Sequence, residues 1–246
     1  MCTLSWIPGL DGYVLFFSRD ERRTRPEALA PSVRVIDGVS FLAPTDPEGG
    51  GTWVSVNSAG VTVALANRYH RTFPAEPARR ESRGRLVLGL ASALSVGEVD
   101  DRMNLAPLDR YDGFTLMALE PGLPARLFEW DGHTLTASSR LEAGLLVASS
   151  AKSEAAAIAA RTEALASLAA AEGWTRRTLL QAHAGHAPSA GALSICMHRA
   201  DASTVSLTQI EVDAARVAMA YHGGQPCGAP PVTRASLART GVAIGG

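Results

Sequence analysis

Two short apolar runs open the chain, residues 2–7 and 13–18, divided by five residues of turn chemistry, Pro8, Gly9, Leu10, Asp11 and Gly12. That pattern signals a β-hairpin. With Gly9 to Gly12 as the loop, Pro8 faces Tyr13 and the register runs down to Cys2 opposite Arg19, which returns Arg19 and Asp20 to the start of the chain. A second hairpin is expected from residues 52–56 and 61–66, rich in β-branched side chains and joined through Asn57, Ser58, Ala59 and Gly60. It ends at Asn67.

Residues 68–81 hold Pro74, Pro77 and several charges and read as an exposed loop, after which Ser82 is placed to cap a helix over 83–94. A second short helix is expected over 99–104. Strand patterns follow at 113–119, 125–130, 133–137 and 145–149, joined by Pro/Gly and Asp-Gly turns. Residues 153–172 are alanine-rich and close on Gly173, a helix pattern without the basic face of a membrane-surface helix. Final strands are expected at 192–198, 204–212 and 216–221, with a loosely ordered tail beyond about 226. The order strands, helix, strands, helix, strands lacks βαβ alternation. It predicts one α+β domain over 1–246, two mainly antiparallel sheets covered by helices.

Bulk chemistry narrows the function classes. A net charge of -1 over 246 residues, with no Lys/Arg cluster interleaved with aromatics, excludes an obvious nucleic-acid groove. Cys2, Cys196 and Cys227 are odd in number and far apart, which argues against a disulfide framework and fits a reducing cytoplasm. The start has no basic segment followed by a long apolar one, and no run is long enough to span a bilayer. The expectation is a cytoplasmic protein without a membrane span, and the sequence assigns no oligomeric state.

Candidate chemistry centres on Cys2. Removal of Met1 would leave an N-terminal residue carrying a thiol and a free α-amine. An amine with an ordinary pKa of roughly 7.7–8.0 can accept and return the proton of a thiol near 8.5. Such a nucleophile needs a carboxylate to hold the amine, a cation to lower the thiol pKa or bind an anionic group, and a donor for the tetrahedral oxyanion. Asp20, Arg19 and Asn67 have those three chemistries. The competing reading makes Arg19 and Asp20 a solvated pair, Asn67 a turn residue and Cys2 a small core residue.

Seven strings carry a resemblance: Met1-Cys2-Thr3, Ser18-Arg19-Asp20-Glu21, Arg25-Pro26, Gly50-Gly51-Thr52-Trp53, Ala64-Leu65-Ala66-Asn67-Arg68, Ser82-Arg83-Gly84 and Tyr111-Asp112-Gly113-Phe114. In order and spacing they resemble the NRDE family, also called transport and Golgi organisation proteins, over roughly the first half of the chain. That family is similar in turn to the cysteine N-terminal nucleophile (Ntn) hydrolases, such as penicillin V acylase and bile salt hydrolase. The resemblance implies a four-layer αββα sandwich, Cys2 as nucleophile with Arg19 and Asp20 beside it, and Asn67 at an oxyanion-hole position. It implies hydrolysis of a linear carbon–nitrogen amide bond in a small-molecule substrate through an acyl-cysteine intermediate, with no cofactor. Ser18 stands where the family motif begins with Asn, and Ser150 where members usually carry a second Asn. For the late arginine of the acylases the candidate is Arg199.

Two other function classes stay open. One is a non-enzymatic carrier of a lipid or haem-like ligand on the same fold; the other is acyl transfer to an acceptor amine. His183, His186, Cys196 and His198 have ligand types that suit zinc, but their spacing matches no common zinc motif, so no metal site is expected. Gly49-Gly50-Gly51 is not followed by Gly-Lys-Ser/Thr and leads into a strand, so its expected role is close backbone approach near Asn67.

Overall fold

The computed structural model describes residues 2–68, 81–148 and 154–240. Strands β1 (Cys2–Pro8) and β2 (Tyr13–Arg22) form the first hairpin, in the register the sequence predicts: Pro8 opposite Tyr13, Cys2 opposite Arg19. β3 (Leu29–Ile36) and β4 (Val39–Thr45) form a further hairpin that is not among the expected strands. Its turn is Asp37-Gly38, both at positive φ, which is hairpin-turn chemistry. β5 (Val54–Asn57) and β6 (Thr62–Asn67) make the next hairpin, and Gly60 in its turn also has positive φ.

Helices α1 (Arg83–Leu90) and α2 (Val96–Leu105) follow. α1 is shorter than the 83–94 expected, because the Asn57 amide donates to the carbonyls of Ala91 and Ala93 and satisfies the chain just past the helix end. Ser82 makes no side-chain cap to it. Ser95 caps α2 by accepting from the Glu98 N–H, so this helix begins three residues before the expected start. Strands β7 (Phe114–Leu119), β8 (Ala125–Trp130), β9 (Leu135–Arg140) and β10 (Gly144–Ala148) come next, then α3 (Glu154–Glu172) and α4 (Arg176–Ala184). α4 lies between the helix expected over 153–172 and the strand expected over 192–198, where no element was expected. Residues 192–198, expected as a strand, contribute only an isolated bridge between His198 and Ser203. β11 (Ala202–Val212) and β12 (Arg216–Gly223) close the second sheet, and in place of a loosely ordered tail β13 (Val232–Ala238) pairs with β12.

The strands form two antiparallel sheets, β10-β1-β2-β11-β12-β13 and β3-β4-β5-β6-β7-β8-β9. Strand alternation sorts their side chains into three apolar layers. Leu4, Trp6, Leu15, Phe17, Val54, Val56, Ala64, Met117, Ile210 and Met219 meet between the sheets. On the outer face of the seven-stranded sheet, Val63, Leu65, Leu116 and Phe128 pack against Leu86, Val87, Val99 and Met103 of α1 and α2. Across the other sheet, Phe16 and Leu207 meet Leu165, Leu179 and Ala182 of α3 and α4. The result is the expected α+β, four-layer αββα sandwich.

Candidate functional site

The alternation that builds the core also divides the chemistry of the first hairpin. Cys2, Leu4 and Trp6 of β1 share the face between the sheets, and Arg19, directly opposite Cys2, points the same way. Thr3 and Ser5, with Ser18 and Asp20 from β2, face α3 and α4. Each face has its own polar network, and Cys2 and Asp20 belong to different ones.

Between the sheets, Cys2, Arg19, Asp20 and Asn67 all line one cavity of about 380 Å³. Its walls also include Glu21, Arg25, Asp46, Gly49, Thr52, Trp53 and Arg83. All four residues singled out from sequence therefore border one space. Cys2 is only 8% exposed; burial pushes its thiol pKa up and the Asp20 charge adds to this, while the Asp20 backbone N–H and the Arg19 charge oppose it. Arg19 is held rigidly: its guanidinium lies 4.5 Å from the centre of the Trp53 ring and within 3.4 Å of Glu21 and 3.7 Å of Asp46. Burial would raise the Asp46 carboxyl, but the hydrogen bond and charge of Arg25, aided by Arg19, prevail and hold it below its ordinary value. Asn67 ends β6, opposite Phe114.

The glycine run does what its sequence suggested. A Cβ on Gly51 would come within 2.4 Å of the Gly84 backbone, and one on Gly49 within 2.8 Å of Ser82 Oγ. Thr52 N–H donates to the Gly84 carbonyl at 3.1 Å, so the start of α1 is drawn against the cavity wall. Only glycine permits that approach.

On the helix side Asp20 is buried and fully engaged. Its Oδ1 accepts from Thr204 Oγ1 at 2.6 Å and its Oδ2 from Arg161 at 3.3 Å. Both side chains of the Asp20–Arg161 pair are completely buried. Arg161 also donates to Thr3 Oγ1 at 2.6 Å and to the Ala192 and Leu193 carbonyls at 3.4 Å. Thr204 faces Asp20 across β2–β11, where a bulge lets Ser206 follow it against Arg19. Beside this network His183 of α4 bridges the hairpin, Nε2 at 2.8 Å from Ser5 Oγ and Nδ1 at 2.7 Å from Ser18 Oγ. Burial, aided by the Arg161 charge, lowers its pKa to about 3.

Sequence reasoning missed Arg161 and the place of His183. Arg199, the candidate late arginine, instead pairs with Asp201 at the surface. Arg161 carried a signal: with Ala157 and Leu165 it forms an i, i+4, i+8 stripe, all three buried, so a cation sits where the helix turns toward the core. Ser150, the other departure, lies outside the described residues.

Comparison with known proteins agrees with this architecture. The family model described as Transport and Golgi organisation 2 matches residues 5–179. Among curated proteins no match is found. Of solved structures, the Caenorhabditis elegans ortholog of N-acylethanolamine-hydrolyzing acid amidase superposes with a TM-score of 0.60 at 8% identity, covering 85% of this chain and 92% of that one. Penicillin V acylase from Agrobacterium tumefaciens gives 0.54 at 12% identity, with coverage of 95% and 85%. The C2A mutant of conjugated bile acid hydrolase from Clostridium perfringens gives 0.54 at 10%, with coverage of 96% and 92%. At these identities the likeness concerns the fold.

Proposed function

Because the chain belongs to the Transport and Golgi organisation 2 family and shares its fold with Ntn amidohydrolases, we propose that it is a cysteine amidohydrolase acting on a linear carbon–nitrogen amide bond. The observation that carries this reading is the convergence of Cys2, Arg19, Asp20 and Asn67 on one cavity. In the proposed reaction Met1 is removed first. The α-amine of Cys2 then takes the thiol proton, and Sγ attacks the amide carbonyl carbon. Asn67 donates to the oxyanion. Collapse breaks the C–N bond, the amine proton passes to the leaving nitrogen, and an acyl thioester remains on Cys2. Water attacks the thioester, gives its proton to the α-amine, and releases the carboxylic acid as the thiol re-forms.

Asp20, already locked by Arg161 and Thr204, supplies the charge that orients the α-amine, and its backbone N–H favours the thiolate. Arg19, anchored on Trp53, adds a fixed positive charge. A neutral, buried thiol in the resting enzyme is consistent with proton transfer coupled to attack. The carrier reading fits less well, since lipid and haem pockets are mainly apolar whereas this cavity is lined by Arg19, Asp20, Glu21, Arg25, Asp46, Glu48, Glu81, Arg83 and Asp112. Residence in the cytoplasm belongs to the same proposal; among the described residues no helix is long and apolar enough to cross a membrane.

The test is intact-mass analysis after brief exposure to an activated acyl ester. Expected is a chain lacking Met1 that gains one acyl group at Cys2, while Cys2→Ala gains none. Retention of Met1 on protein from its native host, or equal acylation of Cys2→Ala, sinks the mechanism. Turnover of chromogenic anilides then separates hydrolysis from transfer to an added amine.

A further inference from the structure

A second constellation lies away from the cavity. His186 follows α4 directly, Cys196 and His198 lie on the segment that runs from α4 to β11, and Cys227 sits in the short turn after β12. The first and last of these are 41 positions apart in the sequence, yet their donor atoms all lie within 4.8 Å of one another. His198 Nε2 is the hub: 3.0 Å from His186 Nε2, 3.6 Å from Cys196 Sγ and 3.5 Å from Cys227 Sγ.

We propose that His186, Cys196, His198 and Cys227 form a Cys2His2 site for one zinc ion, which staples the segment before β11 to the turn after β12. Hydrogen bonding alone does not explain the cluster. One ring nitrogen carries at most one proton, whereas three partners surround His198 Nε2. A cation at the centre serves all four groups together. Zinc bonds of roughly 2.0–2.1 Å to nitrogen and about 2.3 Å to sulfur, at tetrahedral angles, place ligand atoms about 3.4 Å apart for N–N and about 3.6 Å for N–S. The observed N–S separations of 3.6 and 3.5 Å match, and the N–N pair at 3.0 Å needs to open only slightly.

Ligand identity points the same way. Two thiolates neutralise a divalent ion, and a mixed sulfur–imidazole set suits zinc and excludes magnesium or calcium, which take oxygen. Four protein ligands fill a tetrahedron and leave no position for substrate, so the ion is structural. All four residues lie outside regular helices and strands, or in a three-residue turn, where scattered backbone bonds such as Cys196 N–H to the Gly185 carbonyl and His198 N–H to the Gly191 carbonyl stand in place of a continuous ladder. The site also backs Asp20: Met197 N–H, between the two ligands of the segment, donates to Thr204 Oγ1, which donates to Asp20 Oδ1. Zinc binding is independent of whether Cys2 is catalytic.

The full chain, expressed with zinc in the medium and purified under reducing conditions, is expected to hold one zinc per chain by elemental analysis. Its cobalt-substituted form should show the visible bands of tetrahedral cobalt and a near-ultraviolet thiolate-to-metal charge-transfer band. Cys227→Ser alters an exposed residue and should keep the far-ultraviolet circular dichroism of wild type, yet weaken zinc affinity more than about 100-fold and lose intensity in the charge-transfer band. Chelation should lower the Tm of wild type and leave Cys227→Ser unmoved. Absence of stoichiometric zinc, a cobalt form without thiolate charge transfer, equal affinity in Cys227→Ser, or a Cys196–Cys227 disulfide under those reducing conditions each overturns the proposal. If the variant fails to fold, the cobalt spectrum and the zinc stoichiometry of wild type decide the matter alone.

Discussion

His183 makes the stability of this fold depend on pH in a window that can be calculated. Its ring lies against Ser5 of β1 and Ser18 and Phe16 of β2, within reach of the Arg161 charge of α3, and no carboxylate hydrogen-bonds to it among the described residues. Burial first, then the Arg161 charge, lowers the folded pKa from 6.5 to about 3. The unfolded chain therefore binds a proton that the folded chain refuses, so the contribution is complete above 6.5 and falls as pH drops from 6.5 toward 3. With 1.36 kcal/mol per pKa unit, the loss from this group relative to pH 7.5 is about 2 kcal/mol at pH 5 and about 3 kcal/mol at pH 4. Urea unfolding at pH 7.5, 6 and 5 measures it, comparing wild type with His183→Gln. Burial also lowers His222, so the wild-type curve alone does not isolate the effect. The difference between the two proteins does. Asp46, lowered as well, acts only below about pH 4 and leaves the window clear. The expected result is that His183→Gln starts less stable but loses about 2 kcal/mol less between pH 7.5 and 5. An imidazole NMR signal of His183 that titrates near 6.5, or equal losses in both proteins, refutes the reasoning.

Three further outcomes are expected. Arg161→Met leaves the buried Asp20 carboxylate without its ionic partner and should cost about 3–5 kcal/mol in urea unfolding, whereas Arg161→Met combined with Asp20→Asn should cost less than the two changes summed. Gly51→Ala forces a Cβ against the Gly84 backbone and should destabilise by about 1–3 kcal/mol, while Gly50→Ala meets no neighbouring atom and is strained only by its positive φ, which a circular-dichroism melt of each variant distinguishes. Arg19→Lys removes the planar cation from the Trp53 face, so the pH profile of Cys2 alkylation should shift upward; an unchanged profile shows that Arg19 does not tune the thiol.

Much of this architecture was legible because it is local. The Pro8-to-Gly12 turn sets the register of β1 and β2, and alternation then places Cys2 and Arg19 on one face without any long-range information. What escaped is tertiary. The β3–β4 hairpin carries an Asp37-Gly38 turn signal, but as an edge β3 leaves Leu29, Val33 and Val35 exposed, so its pattern is not that of a half-buried strand. β13 shows the same edge character, with most residues exposed, and its place follows from the unpaired side of β12. The 192–198 segment has strand composition, yet its carbonyls at Ala192 and Leu193 accept from Arg161 and Ser194 Oγ donates to the Cys196 carbonyl, which replaces ladder pairing. Side chains from elsewhere in the fold outcompete local propensity there.

The division of the first hairpin into two faces also explains why the polar residues behind Cys2 are so deeply buried. The thiol packs against apolar side chains between the sheets on one side and borders the charged cavity on the other, and the charges nearest to it are anchored within or behind its own sheet. Arg19 reaches it along the shared face, and Trp53, Glu21 and Asp46 keep that cation from swinging into the cavity mouth. Asp20 reaches it in two ways, by a backbone N–H that favours the thiolate and by a carboxylate charge that opposes it, the carboxylate itself being turned by strand alternation into the helix layer. There Arg161 and Thr204 hold the carboxylate, and His183 ties Ser5 of β1 to Ser18 of β2. The neutral histidine is the better tether for this place: a second cation beside Arg161 would compete for Asp20, and two serine hydroxyls satisfy an uncharged ring by one donation and one acceptance. The helix layer thus fixes the β1–β2 pairing, and through that pairing the distance between Cys2 and Arg19 on the opposite face.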